Sequence, residues 1–311
     1  MDSIKEWLVV YLKGVAMGAA DAVPGVSGGT IALITGIYER LIDALSVPET
    51  EQIKQGFTAL LKRDYQKILN MATTLDIPFL AVLGIGVISS LILVLNTMNF
   101  LLESYTTATY GFFFGLILLS AVTLRDQVYL SGSWRKICAF SGFSIAFLAS
   151  GLGAASFNHS APMLFLSGAL AVSAMILPGV SGSLFLVVLG QYSYVSSLVS
   201  DLTSDFTALL LQGKLFNFLS EVYPVLVFVS GGVVGVLLSV NLVELALERY
   251  RKASMTFLIS LMVGALRSPV IQVVRATSGT ESVLSLIPEF SVGAFIGGFA
   301  VFVLDRNTAD I

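Results

Sequence analysis

Six apolar runs, at about 77–98, 104–123, 137–153, 222–245, 253–271 and 288–304, are long enough or nearly long enough to cross a hydrocarbon core, which takes about 20 helical residues. Of the 311 residues, 56% are hydrophobic and 12% charged, about half the charged share of an ordinary soluble domain. The bilayer is therefore the solvent this chain is built for. The net charge of -3 says little about partners, because in a membrane protein the placement of the positive residues carries the information. The lone Cys138 cannot form an internal disulfide and reads as a small hydrophobe. The single histidine, His159, lies in a polar connection, so no His/Cys cluster suggests a metal, and neither a cofactor nor a nucleic-acid partner is expected. Residues 1–14 mix charges into their apolar run and no A-x-A-like site follows, which predicts no cleaved signal peptide.

Two further apolar stretches, about 7–46 and 160–200, are each broken near the middle by the same five residues, P-G-V-S-G, at 24–28 and 178–182. Pro24 and Pro178 remove a helix hydrogen bond and the glycines relax the backbone, so a helix must stop and restart there. Broken backbone at membrane depth is tolerated only where protein buries it or water reaches it. Each stretch thus reads as a re-entrant helical hairpin. Polar-apolar segments following the hairpins, at 51–70 and 201–221, suit helices lying on the interface.

The two halves read as copies. At an offset of 154, Gly14, Ala20, the P-G-V-S-G element, Gly36 and Tyr38 match Gly168, Ala174, the second element, Gly190 and Tyr192; Pro78 matches Pro224 at 146 and Glu103, Tyr105 and Ala108 match at 145. Slowly falling offsets are what a duplication followed by small indels leaves. The expected architecture is an all-α polytopic membrane protein of two repeats, 1–155 and 156–311, forming one integrated membrane domain. Each repeat holds a hairpin, an interfacial helix and three spans. An odd number of spans turns the second repeat upside down relative to the first. If the first hairpin opens to the cytoplasm, fourteen of the seventeen Lys and Arg residues fall on that side with both termini, Lys214 and Arg275 fall outside, and Arg267 lies within the fifth run. That asymmetry fits the positive-inside rule. Inverted repeats with broken helices at the midplane characterise secondary transporters.

The stretches DAVPGVSGGTIALITGIYERLI at 21–42, LPGVSGS at 177–183 and LMVGALRSP at 261–269 resemble the bacterial polyprenyl-phosphate transporter family, over essentially the whole chain. The resemblance implies a substrate, undecaprenyl phosphate, and a task, its return from the outer to the inner leaflet for cell-wall and glycan synthesis in the bacterial inner membrane. Composition and spacing by themselves say only that this is an inverted-repeat membrane transporter.

A phosphate suits the broken helices, because a restarting helix offers free N–H groups and the positive end of its dipole. Ser27, Thr30, Ser181 and Ser183 can add hydroxyl donors, and Gly25, Gly28, Gly29, Gly179 and Gly182 allow close backbone approach. Tight packing of the hairpins would require glycine but not hydroxyls. Arg267, costly inside a span, is expected to face an anion; the alternative is snorkelling to the outer interface. Asp21 would repel a phosphate while ionised, so a proton on it would tie phosphate loading to protonation; the alternative is a hydrogen-bonding residue at a helix end. Glu39 and Arg40, at the cytoplasmic mouth, suit a gate, a head-group receiver or an ordinary interfacial ion pair. GxxxG-type pairs at Gly14/Gly18, Gly111/Gly115 and Gly293/Gly297 suit close helix packing. GVSGGT lacks the Lys-Ser/Thr ending of a nucleotide-binding loop. A small-anion or solute carrier of the same architecture and an intramembrane lipid-phosphate enzyme are the competing classes. Proton or other ion coupling and homo-oligomerisation are left open.

Overall fold

The computed structural model describes residues 4–45, 66, 72–156, 159–175, 181–212, 215–276 and 283–309. Among them every regular element is helical. Helix α1 (Ile4–Ala22) ends two residues before Pro24, and after the P-G-V-S turn the chain restarts as the short α2 (Gly28–Ile34). Gly25 takes φ 92° in that turn. Gly36, at φ 70°, then redirects the chain into α3 (Tyr38–Leu45). The left-handed region carries no penalty for glycine, and a Cβ at Gly36 would meet nothing within 4 Å. Gly36→Ala is therefore expected to cost about 1 kcal/mol through backbone strain alone. Thermal unfolding of purified Gly36→Ala and Gly36→Asn checks this, with Asn recovering part of the loss because it tolerates that conformation.

The rest of the first half comprises α4 (Ile77–Ser104), α5 (Thr106–Thr123) with a 3-10 turn after it, and α6 (Ser133–Ser156). The second half contributes α7 (Ala161–Met175), α8 (Gly182–Val188), α9 (Tyr192–Gln212), α10 (Leu215–Ala265), α11 (Arg267–Ala276) and α12 (Val283–Ala309). α10 is two helices in line of sequence, divided where Tyr250 leaves helical geometry at φ -130°, ψ 29°.

Among the described residues four stretches, Ile77–Ser104, Thr106–Gln127, Arg249–Ala276 and Ser285–Val303, are long and apolar enough to cross a membrane. This is a multi-pass membrane protein. The expected third and fourth spans are helical but do not stand among the four. The fourth includes the apolar helix Val222–Leu238.

One expectation changes, at 201–221. The interfacial segment at 51–70 falls outside the described residues except for Gln66. Its counterpart at 201–221 is not a separate element up to Gln212: α9 begins at Tyr192, inside the expected hairpin 160–200, and continues through it. α8 and the following helix are bent against each other by 113°. Gly190, at φ 66°, supplies the turn, and α9 then runs against α4, where Ser196 Oγ donates to Leu95 O at 2.8 Å.

Close glycine contacts set the packing. Gly14 of α1 faces Gly86 of α4, and Gly168 of α7 faces Gly232 of α10. α5 and α12 interlock through Gly111, Gly115, Gly293 and Gly297, each against backbone of the other helix. Gly142 of α6 rests on Phe257, and Gly264 on Phe143. Helices in lipid gain no hydrophobic drive from meeting each other, so backbone approach at small residues carries the association. The larger buried cluster includes Phe113, Leu116 and Ile117 of α5 and Leu184 of α8.

The meeting of the two broken helices

α2 starts with Ser27 as N-cap, in extended geometry, its Oγ accepting from Thr30 N at 3.4 Å. Asp21, the last residue but one of α1, places its carboxyl so that Oδ1 accepts from Gly28 N at 2.8 Å. Asp21, Ser27, Gly28 and Gly29 are all buried. A Cβ on Gly28 would overlap the Asp21 carboxyl, so this glycine is the condition for the carboxyl to reach the helix start. This hydrogen bond ties the end of α1 to the start of α2. Among the described residues Asp21 is also the one buried carboxyl.

Ser181 is the N-cap of α8 but its hydroxyl makes no cap hydrogen bond to the backbone of that helix. It donates to Val23 O of the first hairpin at 3.4 Å and lies 2.9 Å from Ser183 Oγ. Tyr192, at the start of α9, donates to Ala22 O at 2.7 Å. Ser120 of α5 donates to Gly25 O at 3.0 Å. The carbonyls exposed when α1 stops are therefore met by three hydroxyls from elsewhere in the chain, two of them from the second half. Buried carbonyls require such partners. The ring of Tyr192 stands edge-on to Phe113 at 5.0 Å, which fixes the reach of its hydroxyl. Pro24 is fully buried at the junction. Pro178 and Gly179 lie outside the described residues.

Arg267 lies within the apolar stretch Arg249–Ala276, next to a break in it. It does not sit inside an unbroken helix: Leu266 interrupts it, and Pro269 has no N–H for the Ala265 carbonyl, so α11 starts afresh at Arg267. Its contacts within the protein are to a carbonyl and a ring. Nη1 donates to Phe147 O at 2.7 Å and the guanidinium lies 4.2 Å above the Phe147 ring centroid. Ser268 donates to Val187 O at 2.7 Å. That carbonyl belongs to the far end of α8, so Arg267 stands by the mouth of the second hairpin rather than at its tip.

At the other mouth, Arg40 pairs not with Glu39 but with Asp76, at 2.5 Å (Nε–Oδ2) and 2.9 Å (Nη2–Oδ1), and covers the Phe79 ring at 4.1 Å. This ties α3 to the start of α4. Lys13 Nζ also donates to Thr35 O at 2.6 Å, bridging the two arms of the first hairpin.

Tyr192, Ser120 and the pairing of Arg40 with Asp76 carry no motif of their own. The one signal in sequence was the alignment of Tyr38 with Tyr192, which marks the position but not the reach of its hydroxyl.

No solved structure matches the chain. A polyprenyl-phosphate transporter of Vibrio cholerae is 34% identical over 263 residues, covering 84% of this chain and 76% of the relative. A polyprenyl-phosphate transporter of Staphylococcus aureus is 29% identical over 275 residues, covering 84% and 85%. The model of the VCA0040-like, undecaprenyl phosphate translocase-like family matches residues 17–283, so this broken-helix membrane protein belongs to that family.

Proposed function

We propose that the protein moves undecaprenyl phosphate, or a close polyprenyl phosphate, from the outer to the inner leaflet, without acting as an enzyme on it. The observation that carries this reading is the junction of two broken helices, where Ser181 and Tyr192 of one half hold the end of α1 of the other. Family membership and the names of the relatives support the substrate. The domain is read as two inverted repeats, 1–155 and 156–311. Support comes from the recurrence of packing at aligned positions: Gly14 on Gly86 and Gly168 on Gly232, and likewise α5 on α12 and the second part of α10 on α6.

In this reading the head group enters the junction. The first tip is already served by its own residues, since Asp21 takes the Gly28 N–H and Ser27 takes that of Thr30. α8 has no side-chain cap, so Ser181, Gly182 and Ser183, with Gly179 before them, are the groups that turn to a phosphate. Gly25, Gly28 and Gly29 hold the facing backbone close, and Thr30 adds a hydroxyl. Leaflet exchange of a polyprenyl phosphate in reconstituted liposomes, against the corresponding polyprenol and a small anion, tests the reading; exchange of the small anion alone would overturn it.

Coupling is assigned to Asp21. A proton arriving with the lipid removes the repulsion between carboxylate and phosphate, and an inward proton gradient then favours outer-to-inner movement. Asp21→Asn keeps an oxygen for the Gly28 N–H and is expected to bind lipid phosphate but lose dependence on the imposed pH gradient. Asp21→Ala leaves that N–H buried and unmet, at a cost of about 1–3 kcal/mol. A liposome assay in which Asp21→Asn still follows the gradient as the parent does would leave Asp21 a structural residue.

A further inference from the structure

Away from the tips, donors gather at the other end of α8. Gln191, the residue before α9, is completely buried. Its Oε1 lies 3.0 Å from Nδ1 of His159, whose ring stacks on Tyr194 at 4.0 Å. With the amide oxygen on Nδ1, that nitrogen carries the hydrogen, and the amide nitrogen of Gln191 has no partner among the described residues. A buried donor left unmet is costly and calls for an explanation. The fold itself does not supply one: at the aligned position of the first half, between Gly36 and Tyr38, stands the buried apolar Ile37.

The start of α11 reaches the same end of α8. Ser268 Oγ and Gly190 N both donate to Val187 O, at 2.7 Å and 3.1 Å. Arg267 and Gln191 are each one residue from a donor on that shared carbonyl. On its other side Arg267 lays its guanidinium where a Gly151 Cβ would stand, and Arg275 Nη2 donates to Gly151 O at 3.3 Å. Two guanidiniums of α11 thus converge on one turn of α6. Among the described residues no carboxylate pairs with Arg267.

We propose that Gln191 and Arg275 join Arg267 in a receiving site for a phosphate monoester head group at the mouth of the second hairpin, separate from the helix tips. Guanidinium forks and an amide NH2 together satisfy several oxygens of a tetrahedral anion. His159 holds the amide oxygen, which aims the amide nitrogen. The site deepens the transport reading and rests on it for its side: the positive-inside pattern puts this mouth outside, where the lipid is collected before its phosphate passes to the junction.

The test uses the purified full-length protein in detergent, with inorganic phosphate, a short-chain polyprenyl phosphate and the matching polyprenol as probes. Gln191→Ile, which installs the residue of the first half, and Arg275→Gln are each expected to weaken polyprenyl-phosphate binding about tenfold, the loss of one hydrogen bond to a charged group. Gln191→Ile is also expected to raise the thermal midpoint of the unliganded protein, because it removes an unmet donor. Gln191→Glu keeps the shape and is expected to abolish binding by charge. Parental affinity in Gln191→Ile, Gln191→Glu and Arg275→Gln overturns the site while leaving the transport reading in place. Inorganic phosphate bound by the parent and lost in Gln191→Ile, with no binding of the lipid, upholds the anion site and overturns the lipid as its source.

Discussion

Replacing Arg267 by alanine is expected to lower polyprenyl-phosphate exchange in liposomes by more than tenfold while leaving the protein folded. The two effects separate because the arginine's structural contacts are modest. It gives one hydrogen bond to Phe147 O and lies over the Phe147 ring, together about 1–2 kcal/mol. Most of its five N–H donors are not engaged by those contacts, and no carboxylate among the described residues neutralises it. An arginine held that way at an apolar helix end is available to an anion. Arg267→Lys is expected to restore little, since one ammonium cannot lie on the ring, reach the carbonyl and fork a phosphate together. Exchange at the parental rate in Arg267→Ala would reduce the residue to a clamp between α11 and α6.

Gly115→Leu should prevent assembly of the bundle. At this position α5 approaches α12 so closely that even a Cβ would overlap the Ala294 backbone. Relief would require two helix backbones to separate, at a cost of about 3 kcal/mol or more. The displacement would also reach the junction, because α5 carries Ser120, which holds the Gly25 carbonyl, and Phe113, which positions Tyr192. Loss of monodisperse protein and a lower thermal midpoint measure it. Gly84→Leu is the control: a Cβ there meets nothing within 4 Å, so it should leave both unchanged.

The break at Pro24 and the helix restarts beside Ser27 and Ser181 were legible because proline and glycine act on local backbone, whatever surrounds them. The apolar runs were legible for a similar reason: about 20 uncharged residues have few alternatives to a membrane. The duplicated glycines also announced close packing, though not their partners. Gly111 could be paired with Phe290 and Gly142 with Phe257 only in three dimensions.

The site was less legible, since it depends on which ends come together. Arg267 and P-G-V-S-G both stood out in sequence as oddities in apolar surroundings, and nothing along the chain separated an arginine at the tip of α8 from one at its far end. Ser268 on Val187 O decides it. Likewise Asp21 could face a ligand or a helix start, and the seven-residue return to Gly28 N chooses the helix start in this structure. Gln191 looked unremarkable until its burial left an amide nitrogen unmet. The sequence by itself determined the solvent, the helical spans and the places where helices break, because these follow from hydropathy and backbone chemistry within a few residues. Only the tertiary structure decided which broken end meets which hydroxyl and where the arginines converge, because those contacts join residues more than a hundred positions apart, such as Tyr192 with Ala22 and Arg267 with Phe147, through packing that no local pattern encodes.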